Sequence, residues 1–164
     1  MSIASFDSAT FRRVLGHYPT GVCAVTAIEA DGTPVGMVVG SFNSVSLDPP
    51  LVAFFPAKSS GTWPRIQAVG KFCVNVLASD QKALCRQIAA PGPDKFTGVS
   101  HRTSANGSPI LDDVVAWIDC TLDAVHEAGD HDIVVGRVVA LEVDRPGSPL
   151  LFFQGNYGEF SLIE

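Results

Sequence analysis

Apolar residues along this chain follow two periods. Ser8–His17 (SATFRRVLGH) carries Phe11, Val14 and Leu15 at i, i+3 and i+4, one face of a helix that Asp7 or Ser8 can cap. Past the break at Tyr18-Pro19-Thr20-Gly21 the pattern becomes strand-like. GVCAVTAIEA (21–30), rich in Val, Ile and Thr, predicts a strand, Asp31-Gly32 a hairpin turn, and PVGMVVGSFNSVS (34–46) the return strand. LVAFF (51–55) predicts a buried strand after the Asp48-Pro49-Pro50 turn. A short helix is expected over 59–69, a strand at KFCVNVLA (71–78), and a second helix at DQKALCRQIA (80–89). Ala90–Pro109 holds three Pro and three Gly without periodicity. A loop of that length in a compact domain is usually functional or mobile. Two long strands follow, VVAWIDCTLDAVHE (114–127) and DIVVGRVVALEVD (132–144), paired across the Ala128-Gly129-Asp130 turn, and PLLFF (149–153) is the last.

Seven or so strands against two or three short helices, joined by short turns, predict a mainly β fold with antiparallel pairing. A closed or nearly closed β-barrel with helices at its ends and flank fits. At 164 residues one domain spanning 1–164 is expected. Hydrophobic residues make up 46% of the chain, yet no run reaches the ~18 apolar residues of a membrane span. The surplus is therefore assigned to the core or to an oligomer interface. Met1–Thr10 is polar and lacks the apolar centre of a secretory leader, which predicts a cytoplasmic protein. The net charge of −6 and the lack of a Lys/Arg cluster argue against nucleic acid as a partner. An anionic cofactor remains possible, because backbone N–H groups bind phosphate without net positive charge.

Polar groups interrupt this apolar pattern at three places. Within SFNSVS, Ser41, Asn43, Ser44 and Ser46 cannot share one face of a regular strand, but a bulge there would gather them into a neutral anion nest. The alternative is that they satisfy their own backbone. Lys58-Ser59-Ser60-Gly61-Thr62 stands at an expected helix start, either as a phosphate cradle or as plain capping residues. Asn75, an amide amid KFCVNVLA, needs partners from a ligand edge or a neighbouring carbonyl. Cys23, Cys73, Cys85 and Cys120 form no CxxC pair and read as buried thiols. HEAGDHD places His126 and His131 five apart, which misses the HExxH spacing, so no metal site is expected. His131 at a hairpin tip remains a polar handle for a ligand. GxSxG, Walker A and GxGxxG sequences are absent.

In order along the chain, YPTGVCAVTA, DGTPVGMVVGSFNSVSLDPPLVAFF, KSSGTWPRI, FCVNVLA, DKFTG, GSPILDD and AGDHDIVVGRV resemble the flavin reductase-like family. More closely, they are similar to the reductase component of two-component flavin-dependent monooxygenases, from about Phe11 to Tyr157. The resemblance implies an antiparallel, Greek-key-like split β-barrel of the FMN-binding type, a homodimer, and FMN or FAD with NADH or NADPH as hydride donor. It also implies a separate oxygenase that receives reduced flavin, or, alternatively, a flavin-binding barrel that holds its flavin for another acceptor or a non-catalytic role. Carried onto this sequence, Met37, Val38, Val39, Ser41, Asn43, Ser44, Val45 and Ser46 would line the flavin ring and its ribityl-phosphate. Lys58, Ser59, Ser60 and Thr62 would face the phosphate, Asn75 would add a polar contact, and Phe96 would cover part of the ring. His131 and Tyr157 would help hold the nicotinamide nucleotide. Catalysis would rest on alignment, with no single acid, base or nucleophile indispensable. The chain departs from the pattern at Val38 and Gly40, where hydroxyl residues are frequent, and near Gln154 and Asn156, where a basic residue is common.

Overall fold

The computed structural model describes residues 6–163. The reading of Met1–Thr10 as leaderless therefore falls partly outside the described residues. Asp7 caps the first helix, α1 (Ser8–Leu15), by accepting the Thr10 N–H at 2.7 Å. None of its residues is buried, and the predicted apolar face of Phe11, Val14 and Leu15 is exposed.

Strands β1 (Thr20–Gly21), β2 (Cys23–Ile28) and β3 (Pro34–Val39) follow, the last two turning through Asp31-Gly32, where Gly32 has φ 87°. The single return strand expected over 34–46 is in fact two. Gly40–Phe42 breaks it, and β4 (Asn43–Leu47) pairs with β5 (Pro50–Phe54) at the opposite edge of the sheet. Helix α2 (Trp63–Val69) starts four residues later than expected, because the preceding Ser/Thr segment is a turn held by Ser60. Next come β6 (Lys71–Val76), a 3₁₀ turn (Ser79–Gln81) and α3 (Lys82–Ala89). The stretch read as a loop contains a 3₁₀ turn (Asp94–Phe96) and the first strand of a small hairpin, β7 (His101–Thr103) with β8 (Pro109–Leu111). The long pair is β9 (Ala116–Ala128) and β10 (His131–Val143); β11 (Leu150–Phe153) pairs with both β1 and the unanticipated β12 (Asn156–Glu159).

Seven strands form one antiparallel sheet in the order β3-β2-β6-β9-β10-β5-β4. Its two edge strands are consecutive in the chain. Four residue steps separate Val39 from Asn43 and reach at most about 14 Å, so the sheet must roll until its edges face each other. That makes a barrel with a split between β3 and β4. Register shifts leave Asp123 unpaired on β9 and Val139 on β10, and such bulges add the bend that curvature requires. Gly136 sits under Phe72, where a Cβ would lie 2.7 Å from the ring.

Alternate residues of β2, β3 and β6, among them Val25, Val35 and Val74, fill the barrel interior with Phe54, Phe72, Trp63 and Ile66. Phe54 packs edge-on against Trp63 at 5.7 Å and Phe72 at 5.4 Å, geometry worth about 0.5–1.5 kcal/mol per pair beyond area burial. The other face of the sheet packs a second cluster, Ala24, Leu77, Cys85, Ile88, Leu111 and Leu150, beneath α3 and β11. All four cysteines are buried and free. No described helix is long and apolar enough to cross a membrane.

Candidate functional site

Each edge strand of the barrel pairs on one side only, so β3 and β4 both present backbone N–H and C=O groups to the split. On β4, Ser44 opposes Val52 and Ser46 opposes Leu51, which leaves Val45 as the extra residue of a bulge. The bulge anticipated within SFNSVS is there. Asn43, Ser44 and Val45 are exposed by it, and Ser46 is half-buried. Ser41, in the break between β3 and β4, has already committed its oxygen, which accepts the Phe55 N–H at 2.9 Å.

Strand alternation divides the three residues of β3 expected to line one ligand. Met37 and Val39 pack into the barrel interior, whereas Val38 packs on the opposite face. Their side chains therefore do not form a common wall. Val38 and Gly40 instead line a cavity of about 180 Å³ with Thr20, Val22, Phe152 and Tyr157. Tyr157 is fixed from α3: the Cys85 thiol meets its hydroxyl at 3.4 Å, and Lys82 and Arg86 lie 5.5 and 5.9 Å from its ring centre.

The Ser/Thr segment is stapled to the tip of the β9–β10 hairpin. The Lys58 N–H donates to Asp130 O at 2.9 Å, Asp132 N–H to Pro56 O at 3.0 Å, and the Trp63 indole N–H to the Asp132 carboxylate at 3.0 Å. Ala57 bridges to His131, so His131, at the start of β10, stands beside the segment. Its ring nitrogen Nδ1 is 2.8 Å from Asp130, whose carboxyl that hydrogen bond holds below the usual range. Ser60 Oγ accepts the Thr62 and Trp63 N–H groups, both at 3.2 Å. Ser59 is exposed, and the Lys58 ammonium lies 3.4 Å from Glu127.

Asn75 finds its hydrogen-bond partners within the protein. It is fully buried, its amide donates to Ala24 O at 3.2 Å and to Thr26 Oγ1 at 3.0 Å, and its oxygen accepts the Leu111 N–H at 2.8 Å. The partner comes from neighbouring strands, and the residue staples β2, β6 and β8.

Lys95 was not singled out by the sequence. It precedes Phe96 in the 3₁₀ turn, and its ammonium donates to Gly36 O at 3.1 Å and Thr62 Oγ1 at 3.2 Å. Phe96 packs against Gly36, where a Cβ would lie 3.2 Å from its ring. One lysine thus joins β3, the Ser/Thr segment and the Phe96 turn. The missing basic residue near Gln154 also has a spatial answer: Arg12, Arg13 and His17 line a cavity of about 360 Å³ with Gln154 and Gly155. A larger cavity, about 730 Å³, lies elsewhere, between the β2–β3 turn and α2, and contains none of the anticipated residues. HEAGDHD forms strand ends and a hairpin turn, and no cluster of three potential metal ligands occurs among the described residues.

Known proteins resemble this chain over nearly its whole length. A flavin reductase from Pseudomonas putida is 57% identical over 160 residues, covering 98% of this chain and 94% of the relative. The solved structure of nitrilotriacetate monooxygenase component B from Mycobacterium thermoresistibile superposes with a TM-score of 0.91 at 46% identity, covering 94% of this chain and 87% of that one. The NADH:FAD oxidoreductase SgcE6 of Streptomyces globisporus, solved in complex with NAD and FAD fragments, gives 0.88 at 34% identity, with 94% and 93% covered. Residues 15–161 match the flavin reductase like domain, and the chain belongs to that family.

Proposed function

We propose that this chain is an NAD(P)H:flavin oxidoreductase, one domain working as a cytoplasmic homodimer, whose reduced flavin serves a separate oxygenase. The observation that carries the reading is the split between β3 and β4, with its two free strand edges, together with the Lys58–Thr62 segment, which runs beside His131 and is tied to Gly36 of β3 through Lys95. The names of the relatives, a flavin reductase, a monooxygenase component and an NADH:FAD oxidoreductase, support it.

The residues fit a flavin nucleotide. The strand edges offer backbone donors and acceptors, the Ser/Thr segment offers hydroxyls, and no carboxylate pairs with Lys95 among the described residues. When bound, flavin supplies the chemistry of accepting a hydride from reduced nicotinamide. The protein's work is orientation and exclusion of water. Free N–H groups of β3 and β4 are suited to stabilise negative charge on a planar polar ring. Ser59, Ser60 and Thr62 face the phosphate, while His131 and Tyr157 hold the nicotinamide nucleotide. Exposed apolar side chains supply the material for a dimer interface: Val139, Leu141 and Val143 on β10, and Leu47, 94% exposed, on β4.

The test is direct. Purified protein is mixed with NADH or NADPH and excess FMN or FAD, and the nicotinamide absorbance is followed. Repeated turnover that scales with added flavin is expected, and His131→Ala should weaken nicotinamide use. No oxidation with any donor–flavin combination would overturn the reading.

A further inference from the structure

We propose that Lys95 is a positioning residue of the flavin site: it fixes the Thr62 hydroxyl so that its proton points at the flavin phosphate. This rests on the reading of Lys58–Thr62 as the phosphate side of the site.

An ammonium has three donors and no acceptor. In the contact between Lys95 Nζ and Thr62 Oγ1, at 3.2 Å, threonine must therefore be the acceptor. The hydroxyl proton of Thr62 is turned away from Lys95 and needs an acceptor of its own. The surrounding loop has the same polarity. Ser60 Oγ accepts two backbone N–H groups, so its proton also points elsewhere. Hydroxyls arranged in this way match a group made only of acceptors, which a phosphate monoester or diester is.

Charge leads to the same ligand. Lys95 is half-buried, and burial together with the nearby Arg65 charge holds its ammonium below the usual lysine range. The carboxylate of Glu29 is taken by Arg65, with Nε at 2.9 Å. The partners of Lys95 are a carbonyl and a hydroxyl, both neutral. A partly desolvated cation is ordinarily paired, and here the unmet charge lies one hydroxyl away from the proposed phosphate. The second donation, to Gly36 O, anchors the ammonium to β3.

The experiment compares FMN with riboflavin, which differ only in the phosphate, by titrating flavin fluorescence against wild-type protein, Lys95→Met, Lys95→Arg, Thr62→Val and the Lys95→Met/Thr62→Val double variant. Lys95→Met should weaken FMN about tenfold or more, as loss of a charge-assisted contact does, and riboflavin less than twofold. Lys95→Arg should recover part of the difference. In the Thr62→Val background, Lys95→Met should cost little further, because its effect passes through that hydroxyl. Equal weakening of FMN and riboflavin would make Lys95 merely structural and overturn the proposal. An undiminished effect in the Thr62→Val background would also overturn it, by making Lys95 a direct ligand. Equal binding of FMN and riboflavin by wild-type protein would instead sink the phosphate-side reading itself.

Discussion

Asn75 offers a sharp test, because the family resemblance and the observed hydrogen bonds assign it different work. As a flavin contact, its loss should lower flavin affinity and leave the fold alone. As the staple observed, Asn75→Leu removes donations to Ala24 O and Thr26 Oγ1 and strands the buried Leu111 N–H that its oxygen accepts at 2.8 Å. An orphaned buried donor costs about 1–3 kcal/mol, and each lost neutral hydrogen bond about 1 kcal/mol. The sum, roughly 3–5 kcal/mol, is a large share of the ~5–15 kcal/mol that holds a typical domain together. For a chain of this size each kcal/mol is worth about 2–4 °C, so Tm should fall by roughly 6–20 °C. Urea unfolding of flavin-free protein, at one fixed concentration because association contributes to stability, reads the loss. FMN titration of the folded variant should show less than a few-fold change. A variant within about 1 kcal/mol of wild type that has lost flavin binding would refute the structural assignment.

Gly40→Ser should destabilise the protein, since a Cβ there would lie 2.7 Å from Thr20 Oγ1, and Thr20→Ala should restore most of the loss in thermal unfolding. FMN affinity should fall as pH rises through the pKa of Lys95, which burial sets below the usual lysine value. The protonated form is the one that supports the phosphate, so the contribution is full below that pKa and lost above it. Riboflavin affinity should lack this step, and an identical profile for both ligands would reject it. A thiol reagent at mildly alkaline pH should leave all four cysteines unmodified until the protein unfolds, because each is buried and burial pushes Cys23 and Cys120 up to about 12. One thiol titrating in native protein would contradict the packing.

The strands were legible because their alternation is strong, as in β9 and β10, and the bulge in SFNSVS was legible because four polar residues at that spacing cannot share a face. The expected helix over 59–69 begins only at Trp63, although Pro64 marks its first turn. Ser60 draws the Thr62 and Trp63 N–H groups into a turn, and a run of Ser and Thr reads alike in a turn and at a cap. Strands β7, β8 and β12 are three or four residues long, too short for a period to show, and β12 forms because Gln154 and Gly155, both at positive φ, fold it back on β11. Lys95 is not legible in the sequence for another reason: its partners lie 59 and 33 residues away, where no local pattern can reveal them.

The same distinction between chain and space bears on two of the departures from the family pattern. Along the chain, Gly40 lacks a hydroxyl and Gln154 lacks a charge, so both read as losses of grip on the ligands. In space, each lies beside the group it lacks. The Thr20 hydroxyl occupies the volume that a side chain at 40 would take, on the rim of the cavity shared by Val38 and Tyr157. Arg12, Arg13 and His17 stand around Gln154, where the end of α1 is tied to the β11–β12 turn by the Gln154 N–H donating to Gly16 O at 3.0 Å. Both replacements come from the segment before β2. That segment leaves its own apolar face uncovered, so it is held in place by backbone contacts rather than by core packing. Changes at Thr20 or in α1 should therefore alter ligand handling with little effect on the barrel, the reverse of what a change at Asn75 does.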